Sequence, residues 1–274
     1  MLDKSTIDAA IESLKTQVSR HEIKTENLAK FTDSPEDQEF LSYVNGVGGN
    51  YVKFLPLFIQ KMGLKRIVEL GNREGLSTLA IFDGLPPEAT FTTIDIEKDQ
   101  RYCPDAMFKD ERVKFIFGDV SDLSIFEGKI PTDIDFLFTD TIHFDFQLRD
   151  EWAIYQHLLA DRALVAIDDI NINDKRKLFD ELTFEKWDLT ELCHVSGWGL
   201  FLFVRKEKQT EEERILRAYQ ASSSVWKRKC DELNYWKSEI EKKKIKQRTK
   251  QYLLRNPWLH KMSIKIRKML GIIK

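Results

Sequence analysis

Five short apolar segments between Lys65 and Asp169 are each followed by ten to twenty residues of more polar, helix-compatible sequence. They read RIVEL, TFTTIDI, RVKFIFG, IDFLFTD and ALVAIDD. Strands that alternate with helices form βαβ units, and such units pair their strands in parallel. The alternation therefore predicts an α/β fold with a doubly wound, mostly parallel sheet.

The sheet is predicted to end differently from the way it begins. After a predicted helix over 174–182, the segments KWDLTELCHV and GLFLFVRK are separated only by SGW. This connection is too short for a parallel crossover, so we expect an antiparallel hairpin. Five parallel strands closed by such a hairpin, over residues 65–206, resemble the Rossmann-like fold of class I S-adenosylmethionine-dependent methyltransferases.

The first predicted strand leads into the motif Glu69-x-Gly71-x-x-x-Gly75. A glycine at a strand's carboxyl end lets a ligand lie against the backbone. A dinucleotide site would instead have G-x-G-x-x-G, and Glu69 would repel its pyrophosphate. The motif is similar to the methyltransferase version, which binds the cationic S-adenosylmethionine. A glycine turn that only joins strand to helix is the alternative.

Two further acids follow the second and third predicted strands. Asp95 lies about 20 residues beyond the glycines, where a carboxylate can accept both ribose hydroxyls, and Asp119 lies where the family contacts the adenine edge. Either acid could instead cap a helix or lie in a solvated loop. The resemblance implies these S-adenosylmethionine-binding residues: Glu69, Gly71, Asn72, Gly75, Ser77, Asp95, Ile96, Asp119, Val120 and Asp140.

The fourth and fifth predicted strands also end in acids, Asp140 and the pair Asp168-Asp169. Three carboxylates gathered at one sheet edge repel one another unless they are protonated or bridged by a cation, and oxygen ligands suit Mg²⁺ or Ca²⁺. We therefore expect the three to hold Mg²⁺ or another divalent cation. Capping of the next helix by Asp168-Asp169 is the alternative. The trio resembles that of metal-dependent O-methyltransferases of the catechol and sugar types.

The sugar-modifying members usually read I-D-G-D-H, whereas this chain reads Thr139-Asp140-Thr141-Ile142-His143. Ile142 thus replaces the second acid of the pattern, while His143 keeps the imidazole position. An imidazole has an unperturbed pKa of about 6.5, so we expect His143 to be the base beside Asp140 at the catalytic centre. A histidine that only bonds a loop carbonyl is the alternative.

Residues 1–64 are predicted to form a helical region on the substrate side of the sheet. The resemblance suggests Tyr43, Asn45 and Tyr51 as residues lining the acceptor pocket, but a helix hinge explains Gly48-Gly49 equally well. Trp198, in the predicted hairpin turn, is a further ambiguous candidate.

The C-terminal quarter differs from the rest in charge. Residues 1–204 carry 22 Lys or Arg and 37 Asp or Glu, whereas residues 205–274 carry 21 and 8. Residues 207–255 predict a long charged helix whose apolar heptad is interrupted at Ser222 and Lys229. We expect it to pack partly on the body or to form an imperfect two-chain coil in a homo-oligomer.

Pro257 is expected to end the long helix, and the segment 256–274 is predicted to form a basic amphipathic helix. Such a helix suits the surface of an anionic bilayer. Binding of nucleic acid, a plain solvated helix and docking to a protein partner are the alternatives. Three scattered cysteines without a C-x-x-C pair and the lack of an apolar leader predict a cytoplasmic protein, peripheral on the inner membrane face.

The sequence thus predicts an S-adenosylmethionine-dependent, Mg²⁺-dependent O-methyltransferase. Its expected acceptor is a sugar hydroxyl of a cell-surface polysaccharide, a glycolipid or a nucleotide-sugar precursor. The alternatives are a catalytically inactive scaffold of the same fold, which the replacement at Ile142 favours, an RNA methyltransferase with a basic extension, and a nonheme-iron hydroxylase. The acidic body argues against a large RNA footprint.

Overall fold

The computed structural model describes residues 2–18, 34–35, 38, 42, 49–98, 102–127 and 130–255. Tyr43, Asn45 and the predicted basic helix at 256–274 lie outside these residues. The chain divides into two compact units, Met1–Ser223 and Ser224–Lys274.

The first unit contains the predicted sheet. Its strands are β1 (Arg66–Leu70), β2 (Thr90–Asp95), β3 (Val113–Phe117), β4 (Ile134–Thr139), β5 (Leu159–Asp168), β6 (Glu185–Asp188) and β7 (Trp198–Val204). Its helices up to residue 193 are α1 (Lys4–Val18), α2 (Asn50–Met62), α3 (Leu76–Asp83), α4 (Asp105–Phe108), α5 (Asp145–Tyr155), α6 (Lys175–Glu181) and α7 (Thr190–Cys193), with a 3₁₀ turn at Leu123–Phe126.

The strand order is β3-β2-β1-β4-β5-β7-β6. The first five strands pair in parallel, and β7 pairs antiparallel with both β5 and β6. This confirms the predicted doubly wound sheet with its antiparallel hairpin. The helices α1 and α2 cover one face, where Ile7, Ile11 and Leu14 share a core with Phe54 and Phe58.

The register brings the predicted site positions to one edge. Leu70 pairs with Ile94 on one side and with Thr139 on the other, and Thr139 pairs with Ile167. The residues next in sequence after these four are Gly71, Asp95, Asp140 and Asp168. The parallel pairing therefore places the glycine loop and the acids at neighbouring carboxyl ends.

The hairpin differs from the prediction in its connection. The segment expected to be one strand to Val195 leaves the sheet after Asp188 and forms the turn α7. The Asp188 carboxylate accepts hydrogen bonds from the Thr190 backbone N–H at 3.1 Å and its hydroxyl at 2.5 Å, which begins that turn. Trp198 is fully buried, with Phe54 and Phe138 packed against its ring, so it belongs to the core rather than to an acceptor pocket.

The predicted long helix is confirmed as α8 (Glu211–Arg255). Within the first unit it buries Arg214, Ala218 and Ser222, one turn apart. The Ser222 hydroxyl donates to the Ser121 carbonyl at 2.6 Å and accepts from the Leu123 N–H at 3.2 Å. Ser222 therefore interrupts the apolar heptad because its side chain forms polar contacts with Ser121 and Leu123 of the first unit.

Within the second unit, α8 exposes Trp226, Leu233, Trp236 and Ile240. Among the described residues, none of the helices combines the length and the apolar character needed to cross a bilayer.

Candidate active site

The loop after β1 is held by Asp95. The carboxylate of Asp95 accepts hydrogen bonds from the backbone N–H groups of Asn72 and Arg73, both at 2.7 Å, and of Glu97 at 2.8 Å. A carboxylate has about four acceptor positions, so capacity remains for a ligand hydroxyl. Asp95 thus lies beside the glycines as the sequence predicted, and its contact with a ribose stays a prediction.

The two glycines of the loop have left-handed backbone angles, with φ of +86° at Gly71 and +89° at Gly75. A Cβ on Gly71 would lie 2.3 Å from the carbonyl oxygen of Asp140, and one on Gly75 would lie 2.4 Å from the sulfur of Cys103. The sequence explained Gly71 by a ligand against its backbone. The structure adds a further reason, the close approach of the loops that follow β1 and β4, and the ligand contact stays a prediction.

Glu69 lies beneath this loop and has no exposed surface. The hydroxyls of Thr78 and Thr93 donate to its carboxylate at 2.7 and 2.6 Å. Burial raises the pKa of Glu69 to about 7, against hydrogen bonds from Ser77, Thr93 and Thr78 that lower it. Its carboxylate ties β1, β2 and α3 together under the loop, and its contact with the ligand stays a prediction.

The remaining predicted cofactor residues line the same edge in different ways. Ile96 is 71% exposed just beyond β2, whereas Ser77 and Val120 are buried. The carboxylate of Asp119 accepts from the Ser121 N–H at 2.8 Å and hydroxyl at 2.6 Å. The buried amide of Asn72 donates to Thr93 at 2.9 Å. Their contacts with S-adenosylmethionine stay predictions.

Two histidines lie among the three predicted metal aspartates. His143 Nε2 lies 3.4 Å from Asp140 Oδ1 and 3.2 Å from Asp169 Oδ2. His194 Nδ1 lies 3.4 Å from Asp168 Oδ1 and 3.2 Å from Asp169 Oδ1. The ligand atoms of Asp140, His143 and Asp169 lie within 4.8 Å of one another, as do those of Asp168, Asp169 and His194. The predicted trio is thus divided between two groups that share Asp169.

The aspartates offer oxygens that suit a cation. Asp168 and Asp169 are 3% and 5% exposed, and within the described residues the Oδ1 atom of each accepts no well-formed hydrogen bond. Each Oδ1 faces His194 Nδ1, so an imidazolium or a bound cation are the two charges that can compensate them. A buried carboxylate oxygen without a donor is costly unless a positive charge compensates it. The donor atoms present therefore fit a divalent cation at this edge.

A buried carboxylate missed by the sequence analysis holds the loop that carries Asp140. Glu151, on α5, is 1% exposed and accepts hydrogen bonds from the hydroxyls of Thr139 and Thr141, both at 2.5 Å, and from the Gln147 amide at 2.8 Å. The two threonines flank Asp140 in sequence. Glu151 therefore fixes the backbone on both sides of a predicted metal ligand.

Lys175 is the second residue that the sequence did not reveal. It is 1% exposed, and its Nζ donates to the backbone carbonyl of Asp168 at 2.5 Å. Its charge opposes the rise that burial causes in the pKa of Asp140, and it adds to the lowering of the pKa of Asp169 by the hydrogen bond with His194. A lysine in the run DKRK resembles a solvated charge, so only its packing identifies it as a counter-charge to the acids.

The acids and histidines shift one another's protonation. Burial, followed by the charge of Asp168, raises the pKa of Asp140 to about 7. The hydrogen bond with Asp140 is the largest cause that raises the pKa of His143. Burial lowers the pKa of His194, but Asp168 and Asp169 outweigh it and raise the value to about 10. Without a cation, the cluster therefore holds its histidine protons strongly.

A cleft of about 800 Å³ lies between α1 and the β6–α7 segment. Asn171, two residues after Asp169, lines it together with Trp187 and Arg176. Most of the other lining residues are also polar: Asp8, Glu12, Lys15, Asp188, Thr190 and Glu191. Such a surface offers donors, acceptors and one aromatic side chain to a hydroxyl-rich molecule.

Of the three residues predicted to line the acceptor pocket, the structure describes Tyr51. Its ring lies 5.4 Å from that of His194 and does not line this cleft.

Comparison with known protein families gives one match, which covers most of the chain. Residues 16–183 match the model of the family described as O-methyltransferase. No curated protein is similar enough in sequence to match this chain.

Several solved structures are similar in fold. An SAH-bound methyltransferase from Podospora anserina is 15% identical, with a TM-score of 0.50 over 75% of this chain and 99% of that chain. A methyltransferase from Geobacter sulfurreducens is 16% identical, with a TM-score of 0.45 over 75% and 92%. An O-methyltransferase from Bacillus cereus, in complex with SAH, is 18% identical, with a TM-score of 0.42 over 74% and 91%.

Proposed function

This chain belongs to the O-methyltransferase family, and we propose that it methylates a sugar hydroxyl with a divalent cation bound at Asp140, Asp168 and Asp169. It shares the class I methyltransferase fold, and its reaction is methyl transfer from S-adenosylmethionine to oxygen. We propose as acceptor a cell-surface polysaccharide, a glycolipid or a nucleotide-sugar precursor.

The observation that carries the cation dependence is the pair of buried, unsatisfied oxygens, Asp168 Oδ1 and Asp169 Oδ1. They lie beside Asp140, whose carbonyl packs against Gly71 of the cofactor loop. The predicted cofactor loop and the cation ligands are thus in contact through the backbone. When bound, a divalent cation lowers the pKa of a coordinated hydroxyl and orients it.

The chain's own residues supply the rest of the chemistry. His143 is 41% exposed at the edge of the cluster, so an acceptor hydroxyl can reach its imidazole. In this proposal the Nε2–H of the ring donates to Asp140 and Asp169, which orient it, and the other ring nitrogen, Nδ1, accepts the acceptor's proton. Gly71, Asn72 and Asp95 position the methyl donor, and their alignment of donor and acceptor lowers the barrier.

The saccharide is supported by the sequence resemblance around Asp140 and by the polar cleft that Asn171 and Trp187 line. The basic segment at 256–274 supports an acceptor made at an anionic membrane surface, and we infer that the protein is cytoplasmic and binds the inner membrane face there. Dimerisation through α8 remains part of the proposal.

The experiment is transfer of radiolabelled methyl groups from S-adenosylmethionine to cell-envelope glycan intermediates, with and without EDTA. We expect labelled glycan that disappears with EDTA and returns when a divalent cation is added in excess. Labelling that persists in EDTA would refute the cation dependence. If wild-type protein binds S-adenosylmethionine but labels no glycan, the inactive scaffold becomes the better explanation; labelled RNA instead would favour the nucleic-acid acceptor.

A further inference from the structure

His194 points its Nδ1 atom at the same two carboxylates that carry the unsatisfied oxygens. Nδ1 lies 3.4 Å from Asp168 Oδ1 and 3.2 Å from Asp169 Oδ1. We propose that His194 is a nitrogen ligand of the cation, and that the centre therefore selects a first-row transition-metal dication over Mg²⁺. This inference rests on the proposed cation site.

The two distances from Nδ1 to the carboxylate oxygens are those of neighbouring ligands on one ion. Nitrogen and oxygen ligands of such ions lie about 2.0–2.2 Å from the metal, and two of them at that distance are roughly 3.0–3.4 Å apart for angles between octahedral and tetrahedral. The distances from Nδ1 to Asp168 Oδ1 and Asp169 Oδ1, 3.4 and 3.2 Å, lie at or within this range.

The position of His194 is fixed before any cation binds. The residue is 8% exposed. Its backbone N–H donates to the Thr190 carbonyl at 3.2 Å, and its own carbonyl accepts from the Gly197 N–H at 3.0 Å. The ring of Tyr51 packs 5.4 Å from the imidazole. A ligand held in this way loses little conformational freedom on binding.

The ligand types decide which ion is preferred. Carboxylate oxygens suit Mg²⁺, Ca²⁺ and Mn²⁺, whereas imidazole suits the later first-row ions. The group of Asp168, Asp169 and His194, two carboxylates with one imidazole, combines both types. Mg²⁺ gains little from the nitrogen, whereas the first-row ions gain from it, Mn²⁺ least and Co²⁺ and Zn²⁺ more, so their preference over Mg²⁺ depends on His194.

The competing explanation is a charged imidazolium that bridges Asp168 and Asp169 without binding metal. The two explanations differ in a directly measurable property. A bound imidazole nitrogen couples magnetically to a paramagnetic Mn²⁺ ion, whereas an imidazolium that only neutralises the carboxylates does not coordinate it.

The experiment uses the full chain loaded with Mn²⁺, and electron spin-echo spectroscopy to detect ¹⁴N coupling. Competition with Mg²⁺ is measured by equilibrium dialysis. In His194→Asn an amide oxygen replaces Nδ1 at a similar distance from the backbone. We expect coupling in the wild type that is lost in this variant, together with a fall of roughly tenfold or more in the preference for Mn²⁺ over Mg²⁺.

Two histidine variants are the controls. His157→Asn changes a half-buried histidine that belongs to neither candidate ligand group and should keep the full coupling. His143→Asn removes the proposed base and should also keep the coupling, although methyl transfer falls. Circular dichroism and S-adenosylmethionine binding show whether each variant is folded.

Coupling that is absent in the wild type, unchanged in His194→Asn, or lost only in His143→Asn would overturn the assignment of His194. If Mn²⁺ or Mg²⁺ still binds in these cases, the proposed cation-dependent methyl transfer is not contradicted by them. If neither ion binds the wild type at concentrations that restore activity after EDTA, the cation site itself is wrong and His194 is the imidazolium counter-charge.

Discussion

The carbonyl oxygen of Asp140 lies 2.3 Å from the point that a Cβ on Gly71 would occupy. The backbone N–H of Asp140 also donates to the Leu70 carbonyl at 2.8 Å. The loop predicted to bind the methyl donor and the first residue of the proposed cation site are therefore packed directly against each other. A change in either loop must move the other.

Gly71→Ala should weaken the binding of S-adenosylmethionine and of Mn²⁺ together. The added methyl group overlaps backbone atoms that cannot rotate away, and the φ of +86° is strained for alanine. Isothermal titration calorimetry measures both affinities. Gly63→Ala is the matched control, because Gly63 has a φ of +63° but no atom within 4 Å of its missing Cβ.

We expect Gly63→Ala to cost on the order of 1 kcal/mol of stability while both affinities stay near the wild-type values. If Gly71→Ala weakened the methyl donor alone and left Mn²⁺ affinity unchanged, the coupling of the two loops through Asp140 would be wrong.

Glu151→Ala should reduce both stability and cation affinity. The change removes the acceptor of the Thr139 and Thr141 hydroxyls, and a buried polar group left without a partner costs about 1–3 kcal/mol. Urea unfolding measures the stability, and Mn²⁺ titration of the folded variant measures the affinity. Glu151→Gln keeps two of the acceptor positions and should lie between the wild type and Glu151→Ala.

Glu88→Ala serves as the surface control, because Glu88 is exposed and, of the residues that the structure describes, it forms an ion pair with Lys65, at 3.2 Å. It should change stability by less than about 0.5 kcal/mol. Mn²⁺ affinity that is the same in Glu151→Ala as in the wild type would show that Glu151 stabilises the fold without positioning Asp140.

Local sequence pattern was enough to predict the sheet and the acids at its edge. The apolar segments indicated the five parallel strands, and the acids after them fell at one edge because parallel strands end there together. Glu151, Lys175 and His194 were not found, since each acts through burial and contacts distant in sequence. His194 lies in a segment that the sequence predicts to be a strand. The helical turn α7 that places it depends on the side chain of Asp188.

Two residues of the glycine motif also have a packing role that the sequence did not reveal. Glu69 and Gly71 fit a ligand-binding motif, but the pattern does not show what lies behind the loop. The structure places two threonine hydroxyls behind Glu69 and a carbonyl behind Gly71. The same residue types are thus required by packing, and a motif alone does not separate packing from ligand contact.

In EDTA, the stability of the protein should fall as the pH rises from neutral towards 10. The folded-state pKa of His194 is raised to about 10, above the unfolded value of about 6.5. Its stabilising contribution is therefore complete below about pH 6.5 and is lost as the pH rises through 10. Thermal unfolding between pH 6 and pH 10 measures the effect.

His194→Asn should flatten this part of the profile, whereas His157→Asn should leave its slope unchanged. Asp140, whose pKa is raised to about 7, adds a loss of stability as the pH rises from about 4 to 7. That acidic part of the profile should persist in His194→Asn. An unchanged slope above pH 7 in His194→Asn would show that Asp168 and Asp169 do not hold a proton on this histidine.

Truncation at Asn256 should abolish strong binding to vesicles that contain phosphatidylglycerol. Residues 241–274 carry 12 Lys or Arg and a single acid, and each basic residue near an anionic surface contributes roughly 1 kcal/mol. The apolar side chains from Trp258 to Ile273 add insertion energy that salt does not screen. Co-sedimentation of the full chain should therefore weaken with salt without vanishing.

The truncated chain should still methylate a soluble acceptor, because the described site residues all precede Asn256. A variant with Lys261, Lys265 and Lys268 changed to Glu separates charge from apolar insertion, and it should lose the salt-dependent part of the binding. Co-sedimentation that is indifferent to the truncation would favour docking to a protein partner. Tighter binding to RNA than to these vesicles would instead make nucleic acid the partner of the basic segment.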